Sequence, residues 1–222
     1  MSYGEGVRAV YAGAFGAAPW NEAPNRADAY MDRLGSDVTR PGFTAAVALE
    51  GEEVLGWATA WTTPRPFPSG RCYLQVAAVL GEQRIQQWLC GAREVDELAV
   101  AGRGRGSGLG ARLLHAVTED RADGRCWLLT PARAADALCF YAVADWTPAT
   151  HPAPSGASHA VFLGPRHPAR AFALAPCDHR NRGAPPPCVL PTSVRALRAS
   201  TSGIVRTLVV GTGRRLSNSP HW

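Results

Sequence analysis

The sequence predicts an α/β protein built on a mixed β-sheet. Between 42 and 63, two β-compatible runs flank Glu50-Gly51-Glu52, where a glycine between polar residues favours a tight hairpin and so an antiparallel pair. From 93 to 164, strand and helix patterns alternate. A glycine-rich stretch at 101–110 separates one of these strands from the helix after it. With 222 residues, the chain is long enough to bury a sizeable core.

The region before the hairpin has helical periodicity. Residues 6–16 and 25–35 each place apolar side chains three and four positions apart and end at a glycine, so we expect two short helices. Residues 63–92, after the hairpin, have no clean period until about Val76 and are long for a connection, which indicates a lid or the wall of a pocket. Large side chains in and beside this segment are expected to form an apolar wall: Trp61, Phe67 and Trp88.

Five further elements are expected in the second half of the body. Residues 93–100 predict a strand, and 108–119 predict an amphipathic helix after the glycine-rich stretch. Residues 126–130 predict another strand, 132–144 a helix and 158–164 a last strand. Together with the hairpin, this order makes a mixed α/β sheet.

Charge and composition divide the chain at Gly164. Residues 1–164 contain 14 Arg and 17 acidic residues, a net charge of −3, whereas 165–222 contain nine Arg and one Asp, a net charge of +8. Residues 165–222 are rich in Pro and lack alternation, apart from a short helix or strand at 204–210. We therefore expect a folded domain over 1–164 and a basic, poorly ordered tail. The tail has no aromatic interleaving, so nucleic acid is not an expected partner.

Several classes of protein are disfavoured by composition. No run of about 18 apolar residues is present and no leader pattern opens the chain, so we expect a cytoplasmic protein without a membrane partner. Six scattered cysteines without C-x-x-C are expected to be free thiols. Cys177, His179 and Cys188 lack the paired spacing of a metal site, so no metal is expected.

The glycine-rich stretch admits several interpretations. A P-loop requires a lysine, and the chain has none. A dinucleotide fingerprint at Gly106-x-Gly108-x-x-Ala111 requires an acidic residue after the next strand, which ends in Leu129-Thr130-Pro131 instead. A sharp turn before a helix also stays open as an explanation of the glycines.

Two motifs carry a resemblance to a known family. Arg105-Gly106-Ser107-Gly108-Leu109-Gly110, between "ELAV" and "ARLL", matches R/Q-x-x-G-x-G/A and resembles the acyl-coenzyme A loop of the GNAT acetyltransferase superfamily. "ADALCFYAVADW" at 135–146 resembles that family's A-x-x-x-Y-x-x-x-G-F segment, with Ala137 and Tyr141 in place. The resemblance covers about 5–164. It departs from the pattern at three positions, namely Ala134, Asp145 and Trp146.

The resemblance implies a GNAT-like acyltransferase fold and transfer of an acetyl group from acetyl-coenzyme A to a primary amine, expected to be a small molecule. A pyrophosphate suits backbone N–H groups at a helix N-terminus, and glycines allow a close approach. The implied cofactor-binding residues are Leu98, Val100, Arg105, Gly106, Ser107, Gly108, Leu109 and Gly110. Arg105 adds charge, Arg103 is expected on the outer side of the turn, and an N–H near Leu98 to Val100 polarises the thioester carbonyl.

The catalytic residues implied by the resemblance are Tyr141 as general acid and a carboxylate as base. Packing of the Tyr141 ring is an alternative role. For the base we expect Glu94 or Glu97, directly or through water. Strand alternation places Glu94 and Asp96 on one face and Glu97 on the other. Solvated positions at the start of a strand are the competing explanation of these acids.

Other functions stay open at this stage. The loop also suits a non-catalytic acyl-coenzyme A sensing module, and the acceptor of an enzyme can be a protein amine. The basic tail leaves a nucleic-acid-associated regulator as a further hypothesis. The family's first strand is short or missing, which leaves a sheet edge for a partner, such as a second copy in a homodimer, or for the tail to cover.

Overall fold

A computed structural model describes residues 2–70, 72–150, 159–173 and 205–211. Helices and strands alternate along this part of the chain around one sheet. The helices are α1 (Tyr3–Phe15), α2 (Arg26–Asp37), α3 (Tyr73–Leu80), α4 (Glu82–Arg84), α5 (Leu109–Ala116), α6 (Ala135–Val143) and α7 (Arg170–Ala173). The strands are β1 (Thr44–Glu50), β2 (Glu53–Thr62), β3 (Arg93–Val100), β4 (Cys126–Pro131), β5 (Thr147–Pro148), β6 (His159–Leu163) and β7 (Val205–Gly211). A π-helical turn over Ile85–Leu89 continues α4, and a 3₁₀ turn spans Gly102–Gly104.

The seven strands lie in the order β5-β6-β4-β3-β2-β1-β7. β1, β2 and β3 form an antiparallel meander, and its first turn uses Gly51 with a positive φ of 60°. β3 pairs in parallel with β4, while β6 is antiparallel to both β4 and β5. The predicted mixed α/β class is therefore confirmed.

Local sequence explains the first helix. The Ser2 hydroxyl accepts the N–H of Glu5, while the Glu5 carboxylate accepts the N–H of Ser2, which makes a complete capping box. Val7, Val10 and Ala14 then lie on one buried face. The two helices expected before the hairpin are confirmed.

Helices cover both faces of the sheet. On one face, α1 and α2 pack against β2 and β3 around Trp57, while α3 and the π turn pack against β4 and β6 around Trp127. On the other face, α5 and α6 pack against Ala58, Val95 and Leu128. No helix of the described residues is both long and apolar enough to cross a membrane.

The expectation of a lid over 63–92 is wrong, and the expected apolar wall of Trp61, Phe67 and Trp88 packs in or against the core instead. Residues 73–89 of this segment form α3, α4 and the π turn, and apolar side chains on one side of them fill the core against β4 and β6, while Leu74 and Val79 are exposed. Its buried residues include Tyr73, Val76, Leu80, Ile85, Trp88 and Leu89. Trp61 is also fully buried, beneath the Arg40 guanidinium. The helical period was obscured because the segment changes from an α-helix to a π turn.

Two described segments follow Gly164. In the first, 165–173, His167 is buried and its Nε2 lies 3.0 Å from the Trp88 carbonyl oxygen, so the packed body extends beyond Gly164. In the second, β7 pairs with β1 from Val205 opposite Glu50 to Gly211 opposite Thr44. The sequence predicts that a partner or the tail covers this sheet edge. In the structure, β7 from the tail covers the edge of β1.

The remainder of the predicted tail, together with the discounted metal candidates Cys177, His179 and Cys188, lies outside the described residues. Within the described part of the chain, no three His, Cys, Asp or Glu side chains are grouped to hold a metal ion.

Candidate active site

A cleft of about 1080 Å³ opens where β3 and β4 separate. The two strands pair only between Arg93–Val95 and Cys126–Leu128. Beyond these pairs, the rest of β3 and the end of β4 line opposite walls, and residues of α1 and α2 from one sheet face and of α5 and α6 from the other complete the lining. The cleft therefore passes through the plane of the sheet.

The glycine-rich loop forms one wall at the start of α5. Gly106 and Gly108 have positive φ angles of 74° and 77°, a conformation that other residues adopt only with strain. A Cβ at either position would meet no atom within 4 Å, so the space in front of the loop is open. At Gly110 a Cβ would lie 3.3 Å from the Phe140 ring, so glycine allows the close approach of α6.

The N-terminus of α5 offers hydrogen-bond donors to the cleft. Its N-cap is Gly108, which has no side chain to accept the first N–H groups. The first backbone hydrogen bond of the helix runs from the Arg112 N–H to the Gly108 carbonyl. The N–H groups of Leu109, Gly110 and Ala111 therefore come before the first hydrogen bond of the helix. These donors and the positive end of the helix dipole together give this wall a geometry and charge that suit an anion.

The two arginines of the loop lie in different places. Arg103 bonds Glu50 and Glu53 of the first hairpin and so lies on the outer side of the turn, as predicted. Arg105 lines the cleft and has no ion pair with a described residue. The Ser107 hydroxyl donates to the Gly104 carbonyl at 2.7 Å and so bonds within the loop. The part of Ser107 that can contact a ligand is therefore its backbone.

Backbone N–H groups of β3 also point into the cleft. Ala101 donates its N–H to the Leu55 carbonyl of the neighbouring strand at 2.8 Å. Because alternate residues of a strand direct their backbone groups to opposite sides, the N–H groups of Leu98 and Val100 point away from β2. The Val100 carbonyl agrees with this direction, since it accepts from Arg105 Nε at 3.4 Å.

A β-bulge rearranges the carboxylates of β3. Ala60 is opposite Val95 and Thr59 is opposite Glu97, so Asp96 is the extra residue. The bulge resets the alternation, and Glu94, opposite Trp61, and Glu97 therefore lie on the same face. The expectation that Glu97 faces away from Glu94 is wrong for this reason.

The three acids have different surroundings. Glu94 is buried outside the cleft lining, where it accepts hydrogen bonds from Tyr73 Oη at 2.7 Å and Thr63 Oγ1 at 3.3 Å. Asp96 and Glu97 line the cleft, and Arg33 Nη2 lies 3.1 Å from Asp96 and 3.0 Å from Glu97. Of the two candidate bases, the structure places Glu97 in the cleft.

Tyr141 lines the cleft from α6, with its ring against Phe140, Trp146 and Phe162. Burial raises the pKa of its phenol well above the usual value, and the negative charge of Glu97 adds to that effect. The phenol therefore stays protonated and can donate.

The end of the cleft nearest α1 and α2 has aromatic walls. Tyr11 stacks on Tyr30 with ring centroids 4.7 Å apart, and Phe15 meets Trp20 edge-on at 5.2 Å. The Tyr11 hydroxyl donates to Glu22 at 2.7 Å. Helical spacing marks Tyr11 and Phe15 only as buried positions, so sequence analysis missed their place in the cleft.

A hydrogen bond crosses the mouth of the cleft. Arg133, after β4, donates from Nε to the Pro19 carbonyl between α1 and α2 at 3.1 Å. Cys72 and His159 also line the cleft, and sequence analysis missed both. No local pattern could have found them, because 87 positions separate the two residues.

Comparisons with known proteins find likeness at the level of solved structures. A protein assigned to the GNAT family from Desulfovibrio desulfuricans is 20% identical, with a TM-score of 0.48 over 72% of this chain and 89% of that one. A protein assigned to the GNAT-family acetyltransferases of Bordetella pertussis is 19% identical, with a TM-score of 0.47 over 74% and 90% of the two chains.

The PaiA N-acetyltransferase of Thermoplasma acidophilum, solved with coenzyme A, is 9% identical, with a TM-score of 0.45 over 73% of this chain and 89% of that one. No protein-family profile and no curated protein sequence matches the chain. Likeness at these values assigns no family.

Proposed function

We propose that this protein transfers an acetyl group from acetyl-coenzyme A to a primary amine of a small molecule. The observation that carries the proposal is the cleft through the sheet. It brings an uncapped helix N-terminus, outward-pointing strand N–H groups, a protonated phenol and a carboxylate into one continuous space.

The wall at the start of α5 fits the donor's pyrophosphate. The N–H groups at the α5 N-terminus donate to phosphate oxygens, and the open space before Gly106 and Gly108 admits them. Arg105 supplies a positive charge at the rim. The GNAT resemblance of the Arg105 to Gly110 loop supports the same assignment.

β3 and α6 fit the chemistry of transfer. The N–H groups of Leu98 and Val100 donate to the thioester oxygen and stabilise the negative charge that develops there. Tyr141 gives its proton to the departing sulfur, and Glu97 takes the proton of the amine, directly or through water. Arg33 holds Glu97 in position by their 3.0 Å ion pair.

The aromatic end of the cleft fits a compact acceptor. Rings of Tyr11, Phe15, Trp20 and Tyr30 supply apolar walls, and the carboxylates of Glu22 and Glu97 attract a cationic amine. The hydrogen bond from Arg133 to Pro19 spans the mouth, which favours a small molecule over a folded protein surface.

Calorimetric titration with acetyl-coenzyme A tests the donor site. Ala111→Asp places a negative charge at the cleft wall, in the first turn of α5, where an acid stabilises a helix. Folding is therefore preserved, and we expect the affinity to fall at least about tenfold, or about 1.4 kcal/mol. Gly108→Asp is a poorer test because its φ of 77° adds strain.

Gly102→Asp is the matched control, since it adds the same charge outside the cleft lining to an exposed glycine with no neighbour within 4 Å. Equal affinity of the Ala111→Asp and Gly102→Asp variants removes the loop as the donor site. Failure of the parent protein to bind acetyl-coenzyme A removes the proposed function.

A further inference from the structure

Cys72, His159 and Gln75 form a hydrogen-bonded chain at the cleft. Cys72 Sγ lies 3.3 Å from His159 Nε2, and His159 Nδ1 lies 3.1 Å from Gln75 Oε1. Cys72 and His159 both line the cleft that holds Tyr141 and Glu97. The start of α3 supplies the thiol and the amide, and the first residue of β6 supplies the imidazole. Such a sequence of nucleophile, base and orienting group is typical of nucleophilic catalysis.

The hydrogen bonds define the direction of proton transfer. An amide oxygen only accepts, so His159 Nδ1 carries the hydrogen that Gln75 Oε1 accepts. Nε2 of the neutral ring is then free of hydrogen and faces the Cys72 thiol. Burial lowers the pKa of His159, and the charge of Arg133 adds to that effect. The imidazole is therefore neutral near pH 7 and able to take the thiol proton.

Cys72 differs from Cys90 and Cys126 in exposure, and from the partly exposed Cys139 in lining the cleft. It is partly exposed and occupies the N-cap of the eight-residue helix α3, where the positive end of the helix dipole stabilises a thiolate. Cys90 and Cys126 are buried, and burial raises the pKa of both thiols, that of Cys126 to about 11. The structure thus pairs a base with the thiol that opens onto the cleft.

We propose that Cys72 is a nucleophile that carries the acetyl group between donor and amine. This inference rests on the proposed use of acetyl-coenzyme A. In the first half-reaction, His159 takes the Cys72 proton, and the sulfur attacks the thioester carbonyl. A bond forms between Cys72 Sγ and the acetyl carbon, the bond from that carbon to the coenzyme sulfur breaks, and the leaving thiolate takes a proton from Tyr141. The His159 proton restores the phenol.

In the second half-reaction, the amine attacks the acetyl carbon of acetyl-Cys72. The carbon–nitrogen bond forms and the bond to Cys72 Sγ breaks. Glu97 takes the amine proton and releases it to solvent, and the Cys72 thiolate takes one proton from solvent through His159, so the protein returns to its starting state with an amide as product. No group is oxidised or reduced in either half-reaction, and the donor and the amine need not be bound together.

The full chain, incubated with acetyl-coenzyme A and no amine, tests this inference. Peptide mass spectrometry is expected to find one acetyl group on Cys72 and none on Cys139. Labelled free coenzyme A is expected to exchange into acetyl-coenzyme A, because the first half-reaction is reversible. Cys72→Ser is expected to abolish exchange, and His159→Gln to slow it at least about 100-fold.

Gln75 is a positioning residue, and its variants separate orientation from folding. Gln75→Glu keeps an oxygen that accepts from His159 Nδ1, so we expect it to retain exchange. Gln75→Leu removes the acceptor, and its exchange rate is expected to fall at least about tenfold. His115→Gln is the matched control for His159→Gln, because His115 is exposed and lies outside the cleft, and its exchange is expected to equal that of the parent protein.

Two results overturn the inference in distinguishable ways. Amine acetylation by Cys72→Ser at the parent rate, without exchange in the parent, shows direct transfer and leaves the proposed function standing. If the parent protein does not bind acetyl-coenzyme A, the proposed function fails, and iodoacetamide then probes the thiol itself. Cys72 is expected to react at least about tenfold faster than Cys139, with the difference lost in His159→Gln; equal rates in the parent overturn the assignment.

Discussion

The two ends of the cleft are built from different materials. At the end proposed to bind acetyl-coenzyme A, called the donor end, the chain presents backbone N–H groups from one contiguous stretch, 98–111, whose glycines shape the loop. At the end proposed to bind the amine acceptor, called the acceptor end, side chains form the lining. They come from α1, α2, the connection between these helices and the bulge of β3. A site made of backbone tolerates side-chain exchange as long as its φ angles persist. Binding at a site made of side chains depends on each of those groups, so single substitutions are expected to have larger effects there.

The largest effect is expected at the junction of the two ends. Tyr141→Phe removes the proton donor and keeps the ring that packs against Trp146 and Phe162. We expect kcat to fall by about 10²- to 10⁴-fold while the affinity for acetyl-coenzyme A is unchanged. Release of free thiol measures the rate, and Tyr3→Phe, which alters an exposed tyrosine, is the control.

The pKa of Tyr141 also predicts the pH dependence of the parent enzyme. A phenol with a raised pKa is lost as a donor only when the pH passes that raised value. The alkaline decline of kcat that belongs to Tyr141 should thus begin above about pH 10, the ordinary value for tyrosine. Parent-like rates in Tyr141→Phe would leave the ring with a packing role alone.

An intermediate effect is expected at the acceptor end. Glu97→Gln removes the base but keeps the size of the side chain, while Arg33 retains Asp96 as a partner. We expect kcat/KM for the amine to fall by about 100-fold at neutral pH. The loss should shrink as the pH rises, because a neutral amine no longer needs a base. Glu119→Gln, at an exposed position after the end of α5 and outside the cleft lining, should behave like the parent protein.

The smallest effect is expected within the donor loop. Ser107→Ala removes a hydroxyl that bonds only the Gly104 carbonyl among the described residues, and it leaves the Ser107 N–H in place. We expect the affinity for acetyl-coenzyme A to change by no more than about fivefold, the equivalent of one ordinary hydrogen bond. Calorimetry measures the affinity of Ser107→Ala for acetyl-coenzyme A, with Ala111→Asp titrated under the same conditions for comparison. A loss as large as that of Ala111→Asp would mean that the donor end depends on side chains as well.

The same difference explains how far the sequence could be interpreted. The shape of the glycine loop was predictable because the φ angles and spacing of adjacent residues are local properties, while its binding of acetyl-coenzyme A stays a prediction. Helices α1 and α2 and the first hairpin were predictable for the same reason. The contiguous motif at 135–146 singled out Tyr141, which lies in the cleft, and its role as general acid stays a prediction.

The remaining site residues depend on long-range geometry. The bulge at Asp96 arises from the pairing of β3 with β2, and alternation alone assigns Glu97 to the wrong face. Cys72 and His159 meet only because α3 packs on the face formed by β4 and β6. Their individual neighbours in the sequence carry no sign of this contact.

The pairing of β7 with β1 gives the last described strand a protective role. β1 offers "TAAVALE", short apolar residues with no Lys, Pro or bulky charge in the middle to repel another strand. With Val205–Gly211 in register beside it, this row of hydrogen-bonding groups is satisfied within the same molecule. We expect a chain shortened before Val205 to keep its cleft. It would expose the seven-residue edge of β1 to strand pairing with other copies of the protein. Among the described strands, β7 therefore covers a sheet edge that lies two strands away from β3 and the cleft.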